Sequence, residues 1–248
     1  MMGSIEKSAI LTVAGTVAVA LASLLNLQPV RAQEEEQIPP YCEGGLPDGF
    51  VKCVYNGGER EADRYEGEFV NGRPEGTGIY TYVNRDRYEG EFVNGLPNGR
   101  GTFIFADDGR VEGIFENGNI TSGRVIFTNG DRYEGGFRLV RNIDTDVTSS
   151  QPHGQGEFIY ANGDRFSGTF FIGGPLGDGV LTRTDGTRCE GDFFNDALDA
   201  KATCVFPNGL RYQGELRNGV PHGVGVLIDA NGRRFPGAFR NGKPLDSQ

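Results

Sequence analysis

The sequence has little apolar material. Hydrophobic residues fill 37% of its 248 positions while glycine occurs 40 times, a balance that excludes a thick core and favours short glycine-rich strands. Basic residues are also scarce: 24 Lys and Arg stand against 34 Asp and Glu, a formal net charge of −10. That deficit argues against recognising nucleic acid or anionic lipid through bulk charge. The four cysteines lack the Cys-x-x-Cys spacing and the neighbouring histidines of a zinc site. The Gly-x-Gly loops lack the following helix and the Lys-Ser/Thr of a phosphate loop. No cofactor, no metal and no nucleic-acid partner are expected.

The longest apolar run, Ala9 to Leu27, follows a weakly basic start containing Lys7 and ends at Val30-Arg31-Ala32. This is signal-peptide grammar over residues 1–32, with cleavage after Ala32 and a linker over 33–40. Left uncleaved, a run of about 19 residues is close to the roughly 20 that span a membrane and would act as an anchor. Either way the body is expected outside the cytosol, in a periplasmic, extracytoplasmic or secreted setting. All four cysteines fall in that exported part, as two local pairs: Cys42 with Cys53 and Cys189 with Cys204. An even count in an oxidising compartment favours disulfides.

One pattern dominates the rest. Tyr65-Glu66-Gly67-Glu68-Phe69 recurs with starts at Tyr88, Val111, Tyr133, Phe166, Cys189, Tyr212 and Phe235, most of them 23 residues apart. A fixed period of this size means one supersecondary unit stacked on copies of itself. Taking the aromatic start as place zero, place two is glycine in every copy and place four is Phe except at Leu216. Alternation at period two puts places zero, two and four on one strand face. Glycine weakens a strand unless something lies close against the backbone, so a ring is expected over each glycine, supplied by the second strand.

An Asn-Gly turn follows (Asn71-Gly72, Asn94-Gly95), then a Gly-x-Gly loop such as Gly76-Thr77-Gly78. A second strand carries large residues at places fifteen and seventeen (Tyr80 and Tyr82, Phe103 and Phe105), and a further Asn-Gly turn leads to the next start. The unit is a β-hairpin paired edge to edge with its neighbours. The expected fold is all-β: an elongated, twisted antiparallel sheet of about eight hairpins over residues 41–246. At about 4.8 Å per strand the strip is about 80 Å long. Along such an array the two cysteine pairs stand about six repeats apart, so only local pairing is sensible, each pair directly opposite or one step diagonal.

These units resemble the MORN (membrane occupation and recognition nexus) family, which Tyr88-Glu89-Gly90-Glu91-Phe92-Val93-Asn94-Gly95-Leu96-Pro97-Asn98-Gly99-Arg100-Gly101 matches closely. The resemblance implies the stacked-hairpin sheet and, with no catalytic domain alongside, roles in protein interaction or phospholipid binding.

The pattern breaks in three places. An insertion of ten residues lies near 141–150, read as a solvated loop. Arg183 and Asp229 replace the aromatic at place seventeen, which costs energy on an inward face unless the sheet opens or a partner is found. His153 and His222 both occupy loop place ten, assigned alongside Glu75, Asn98, Asp178 and Asp199 as exposed and interchangeable. With no residue set apart in a pocket, the chain is read as a non-enzymatic protein-interaction or scaffold module of the cell envelope. Two other readings stay open: a peripheral lipid-binding module using the arginines before each start, and an enzyme with a site near the insertion. A homodimer is a further option, since one sheet layer leaves an edge uncovered.

Overall fold

The computed structural model describes residues 41–43, 48–55, 62–142 and 148–245. The expected signal segment and linker lie outside these residues. The leading half-unit is β1 (Tyr41–Glu43) and β2 (Gly49–Val54), followed by the hairpins β3 (Arg64–Val70) with β4 (Arg73–Thr81), β5 (Arg87–Val93) with β6 (Leu96–Ile104), and β7 (Arg110–Glu116) with β8 (Asn119–Ile126). The middle of the chain gives β9 (Arg132–Arg141) with β10 (Thr148–Ile159) and β11 (Arg165–Phe171) with β12 (Gly174–Thr182). The last part gives β13 (Arg188–Phe193) with β14 (Ala200–Val205), β15 (Arg211–Arg217) with β16 (Val220–Ile228), and β17 (Arg234–Arg240) with β18 (Lys243–Pro244). Each strand pairs antiparallel with the next in the chain, so the described residues form one open meander without a helix.

Burial alternates as the period-two pattern requires. In β3, Tyr65 and Phe69 are buried while Arg64, Glu68 and Val70 face solvent. Where a ring covers a glycine pair, however, it comes from the same strand and not from the second strand of the hairpin. A side chain on either Gly67 or Gly78 would run into the Tyr65 ring, and Tyr88 covers Gly90 and Gly101 in the same way. The tyrosine leans along its own strand until its hydroxyl donates to the carbonyl three residues on, Tyr65 to Glu68 at 2.9 Å and Tyr88 to Glu91 at 3.1 Å. The rings at place fifteen stand directly opposite place zero, Tyr80 against Tyr65 and Phe103 against Tyr88, and are therefore too far along to reach the glycines.

Two files of rings run through the array. In one, Tyr65 packs 5.3 Å from both Phe69 and the next repeat's Phe92, and Tyr88 packs 5.1 Å from both Phe92 and Phe115. In the other, Tyr80, Tyr82, Phe103 and Phe105 follow at 4.7, 5.6 and 4.8 Å. Such contacts add about 0.5–1.5 kcal/mol each beyond simple burial. Because each ring touches the neighbouring unit, a lone hairpin keeps little of this energy.

The repeat starting at Cys189 has no ring at place zero, and there alone the opposing glycine is replaced, by Ala202. Cys189 and Cys204 are directly opposite, as are Cys42 and Cys53, with sulfur separations of 2.02 and 1.96 Å. That settles the register in favour of the direct pairing.

The two Asn-Gly turns differ. In the hairpin turn both residues are left-handed, Asn71 at φ 49° and Gly72 at 74°, the mirror turn that suits strand twist. In the turn joining repeats only the last residue is, as at Gly130 with φ 92°. Carboxylates tie successive turns together along both margins. Asp63, Asp86 and Asp164 accept the amides of Val83, Ala106 and Thr184 at 2.8, 2.9 and 3.0 Å. On the other margin, Asp48, Glu75 and Asp199 accept those of Asn71, Asn94 and Asn218 at 3.0, 2.9 and 3.0 Å.

Candidate interaction groove

Near the C-terminal end of the array the inward face is open. A groove of about 440 Å³ crosses the sheet there. Phe206, Leu210 and Leu227 are partly exposed along it, over the buried rings of Tyr212 and Phe239, and prolines stand at both ends, Pro207 beside one turn and Pro221 and Pro244 beside the other. Two departures from the repeat open it. Place fifteen of the repeat starting at Tyr212 is the smaller Leu227, and place seventeen is Asp229, which supplies no ring. In the final half-unit β18 pairs only with Phe239 and Arg240, and Phe235 at place zero is 50% exposed.

Asp185 stands at one rim. Its carboxylate accepts the Thr187 amide at 2.7 Å, and this bond holds its pKa below the usual carboxylate range. The buried phenol of Tyr212 is pushed up by loss of solvent, with its hydroxyl donating to Glu215 and His222 carbonyls at 2.8 and 3.1 Å.

The other sequence-marked residues fall elsewhere. Arg183 neither opens the sheet nor frays it: its guanidinium donates to the carbonyls of Asn218 and Gly219 at 3.3 and 2.9 Å, bracing a turn two hairpins on. Pairing from β12 through β14 runs without a register shift. Asp229 accepts the amides of Asn231 and Arg233 at 2.9 Å and the Arg233 guanidinium at 2.7 Å, closing its own turn. The insertion lengthens a hairpin, with Leu139 opposite Ser150 and Arg141 opposite Thr148; residues 143–147 lie outside the described ones.

His153 and His222 sit in strands β10 and β16, half-buried, with Nδ1 of each enclosed and unpartnered. They are not the exposed loop residues expected. The equivalent place in the repeat starting at Phe166 is held by Leu176, two residues before Asp178. Four of the arginines that precede the starts are held in ion pairs. Arg87, Arg110 and Arg188 pair with Glu89, Glu112 and Glu190 at 2.9, 3.3 and 2.7 Å, and Arg165 pairs with Glu157 at 3.1 Å. Among the described residues no three His, Cys, Asp or Glu converge to hold a metal.

The described residues form a meander of stacked hairpins, the architecture of a repeat protein. The chain belongs to the MORN-repeat family: the MORN repeat model matches residues 65–87, 88–110, 149–165, 189–211 and 212–233. No curated protein sequence matches the chain. Among solved structures, the TCP domain of Drosophila melanogaster SAS-4 (dCPAP), in complex with a proline-rich motif of Ana2 (dSTIL), is similar over 73% of this chain and 94% of its own, at 15% identity and a TM-score of 0.39. The wild-type TCP10 domain of Danio rerio CPAP is similar over 77% and 78%, at 16% identity and a TM-score of 0.32. Likeness at this level does not bear on function.

Proposed function

We propose that this chain is an exported, non-enzymatic MORN-repeat protein that binds a protein partner in the cell envelope. The observation that carries the reading is the groove, along which Phe206, Leu210 and Leu227 are partly exposed. Exposed apolar clefts of this kind mark interaction sites. Export is supported by the apolar run ahead of Ala32 and by two cysteine pairs at bonding distance, which suit an oxidising compartment. Lipid headgroups fit less well, because four of the arginines that would meet them, Arg87, Arg110, Arg165 and Arg188, are already paired with glutamates.

Affinity capture with the mature, oxidised protein as bait tests the reading, with identification of bound material by mass spectrometry and flotation on anionic vesicles run alongside. One protein retained at stoichiometric level, without flotation at low salt, is the expected result. Flotation that falls steeply with salt and no retained protein would replace it with the lipid reading.

A further inference from the structure

We infer that the outer face of the sheet over β14 to β17 is a contact surface for a partner segment that is aliphatic at its centre and acidic at both ends. It lies on the opposite face from the groove, so the two surfaces stand or fall separately. The observation is a local reversal of charge. Between Ala200 and Leu245 seven Lys and Arg stand against two Asp and Glu, in a chain whose formal net charge is −10.

The reversal has its cause within the repeat. Place one is glutamate in five of the eight copies, and there Arg87, Arg110 and Arg188, one place earlier, pair with Glu89, Glu112 and Glu190. The last two copies carry Gln213 and Pro236 instead. Arg234 then finds only the neutral amide of Gln213, at 3.3 Å, and Arg211 is exposed with no ion pair among the described residues. At the other end of the same strands, Arg217 and Arg240 are exposed and equally without an ion pair there.

Between these two rows of arginines the face is apolar. Ile228 stands directly opposite both Arg211 and Arg234, Val226 opposite Gln213 and Pro236, and Val224 opposite Ala238. Place twelve holds Thr77, Arg100, Asp178 and Lys201 in other copies; Val224 is 72% exposed, more than any other large apolar side chain among the described residues. Because β15 and β16 are each paired on both sides, this exposure belongs to a face and not to an edge. Six residues separate Arg211 from Arg217 and Arg234 from Arg240, so the rows lie about 20 Å apart. Glu215, opposite Lys201, is the one acidic residue in β14 to β17.

Guanidinium groups take carboxylates through paired hydrogen bonds, and the aliphatic centre supplies apolar burial. Carboxylates at both ends of an aliphatic stretch complement the two rows, while a basic segment is repelled. A planar anionic membrane is a poorer complement, because the same face turns acidic just beyond β14, where Asp178 and Asp192 stand exposed and directly opposite one another.

The test is fluorescence anisotropy of the mature, oxidised protein with a labelled peptide of roughly ten residues, valine and threonine alternating between paired glutamates, long enough to span the rows. Comparison peptides carry lysine for the glutamates or serine for the valines, and flotation on phosphatidylcholine vesicles containing phosphatidylserine runs alongside. Saturable binding of the first peptide is expected, at least about tenfold weaker for either comparison and falling with salt. Arg211→Glu combined with Arg217→Glu should weaken it about tenfold and Val224→Ser several-fold, with the circular dichroism unchanged. Arg87→Gln, on the same face but already paired, should change it by less than about twofold. Equal binding of the lysine peptide, or no effect of the arginine and Val224 variants in folded protein, overturns the inference. Vesicle binding that the arginine variant abolishes, with no binding of the acidic peptide, overturns it too and gives the surface to anionic lipid.

Discussion

The ring of Tyr88 occupies the space that a side chain on Gly101 would fill. Gly101 lies on the strand opposite, paired with Gly90, and the tyrosine reaches across both. Crowding a packed site costs typically 1–3 kcal/mol. Gly101→Ala should therefore lower Tm by several degrees, whereas Gly237→Ala, with nothing within 4 Å of the added carbon, should leave it nearly unchanged. Thermal melts followed by circular dichroism compare the two directly.

Ile172 takes the left-handed place of the hairpin turn, φ 46°, that asparagine fills in most other copies. A β-branched residue there is strained by about 1–2 kcal/mol, while asparagine tolerates it. Ile172→Asn should raise Tm by roughly 2–4 °C. A fall in Tm would mean that the exposed isoleucine contributes more by contact than it costs in backbone strain.

Burial pushes the phenols of Tyr65, Tyr82, Tyr88, Tyr133 and Tyr160 well above the ordinary value of 10.0. With the folded pKa raised, their contribution to stability is complete below pH 10 and is lost as pH rises from there, because the unfolded chain releases protons that the folded chain keeps. Tyrosinate absorbance from these side chains should appear together with loss of the strand signal in an alkaline titration. Ionisation near pH 10 with the sheet intact would contradict their burial.

The pairs Cys42–Cys53 and Cys189–Cys204 close loops 11 and 15 residues apart. In the loop-entropy model a 15-residue closure is worth about 3 kcal/mol, so removing the second pair alone, Cys189→Ser with Cys204→Ser, should lower Tm by roughly 6–12 °C, and reduction of both pairs by more. Intact-mass analysis after alkylation without reductant should find no free thiol; four alkylated cysteines would place the chain in a reducing compartment and remove one support for export.

The repeat made most of this fold legible. Place zero, the invariant glycine at place two and the phenylalanine at place four gave the inward face, and the equal spacing gave the neighbour order. What periodicity does not carry is the direction in which a side chain leans. It put Tyr80 on the same face as Gly67 but could not tell that Tyr65, bonded to the Glu68 carbonyl, already lay there. The margin ladders were present in the sequence as recurring aspartates, Asp63, Asp86 and Asp164, but spacing alone does not say which group each one holds. Only the register shows them reaching the next turn while Arg87 turns to Glu89. Arg183 stood out correctly as a break, but its partners at Asn218 and Gly219 lie 35 and 36 residues on. The groove was hardest to foresee, because it arises from rings that are missing at Leu227 and Asp229 and from the end of the array.

A double-mutant cycle on Tyr88 and Gly101 tests most directly whether rings laid on bare backbone hold the repeats together. The chain already contains the natural counterpart, with Cys189 at place zero where Ala202 replaces the glycine. Tyr88→Leu and Gly101→Ala should each destabilise, and the double variant should lose at least about 1 kcal/mol less than the sum, because the smaller side chain leaves room for the added methyl. Strictly additive losses would mean that the ring and the glycine do not share that space, and the packing account would fail.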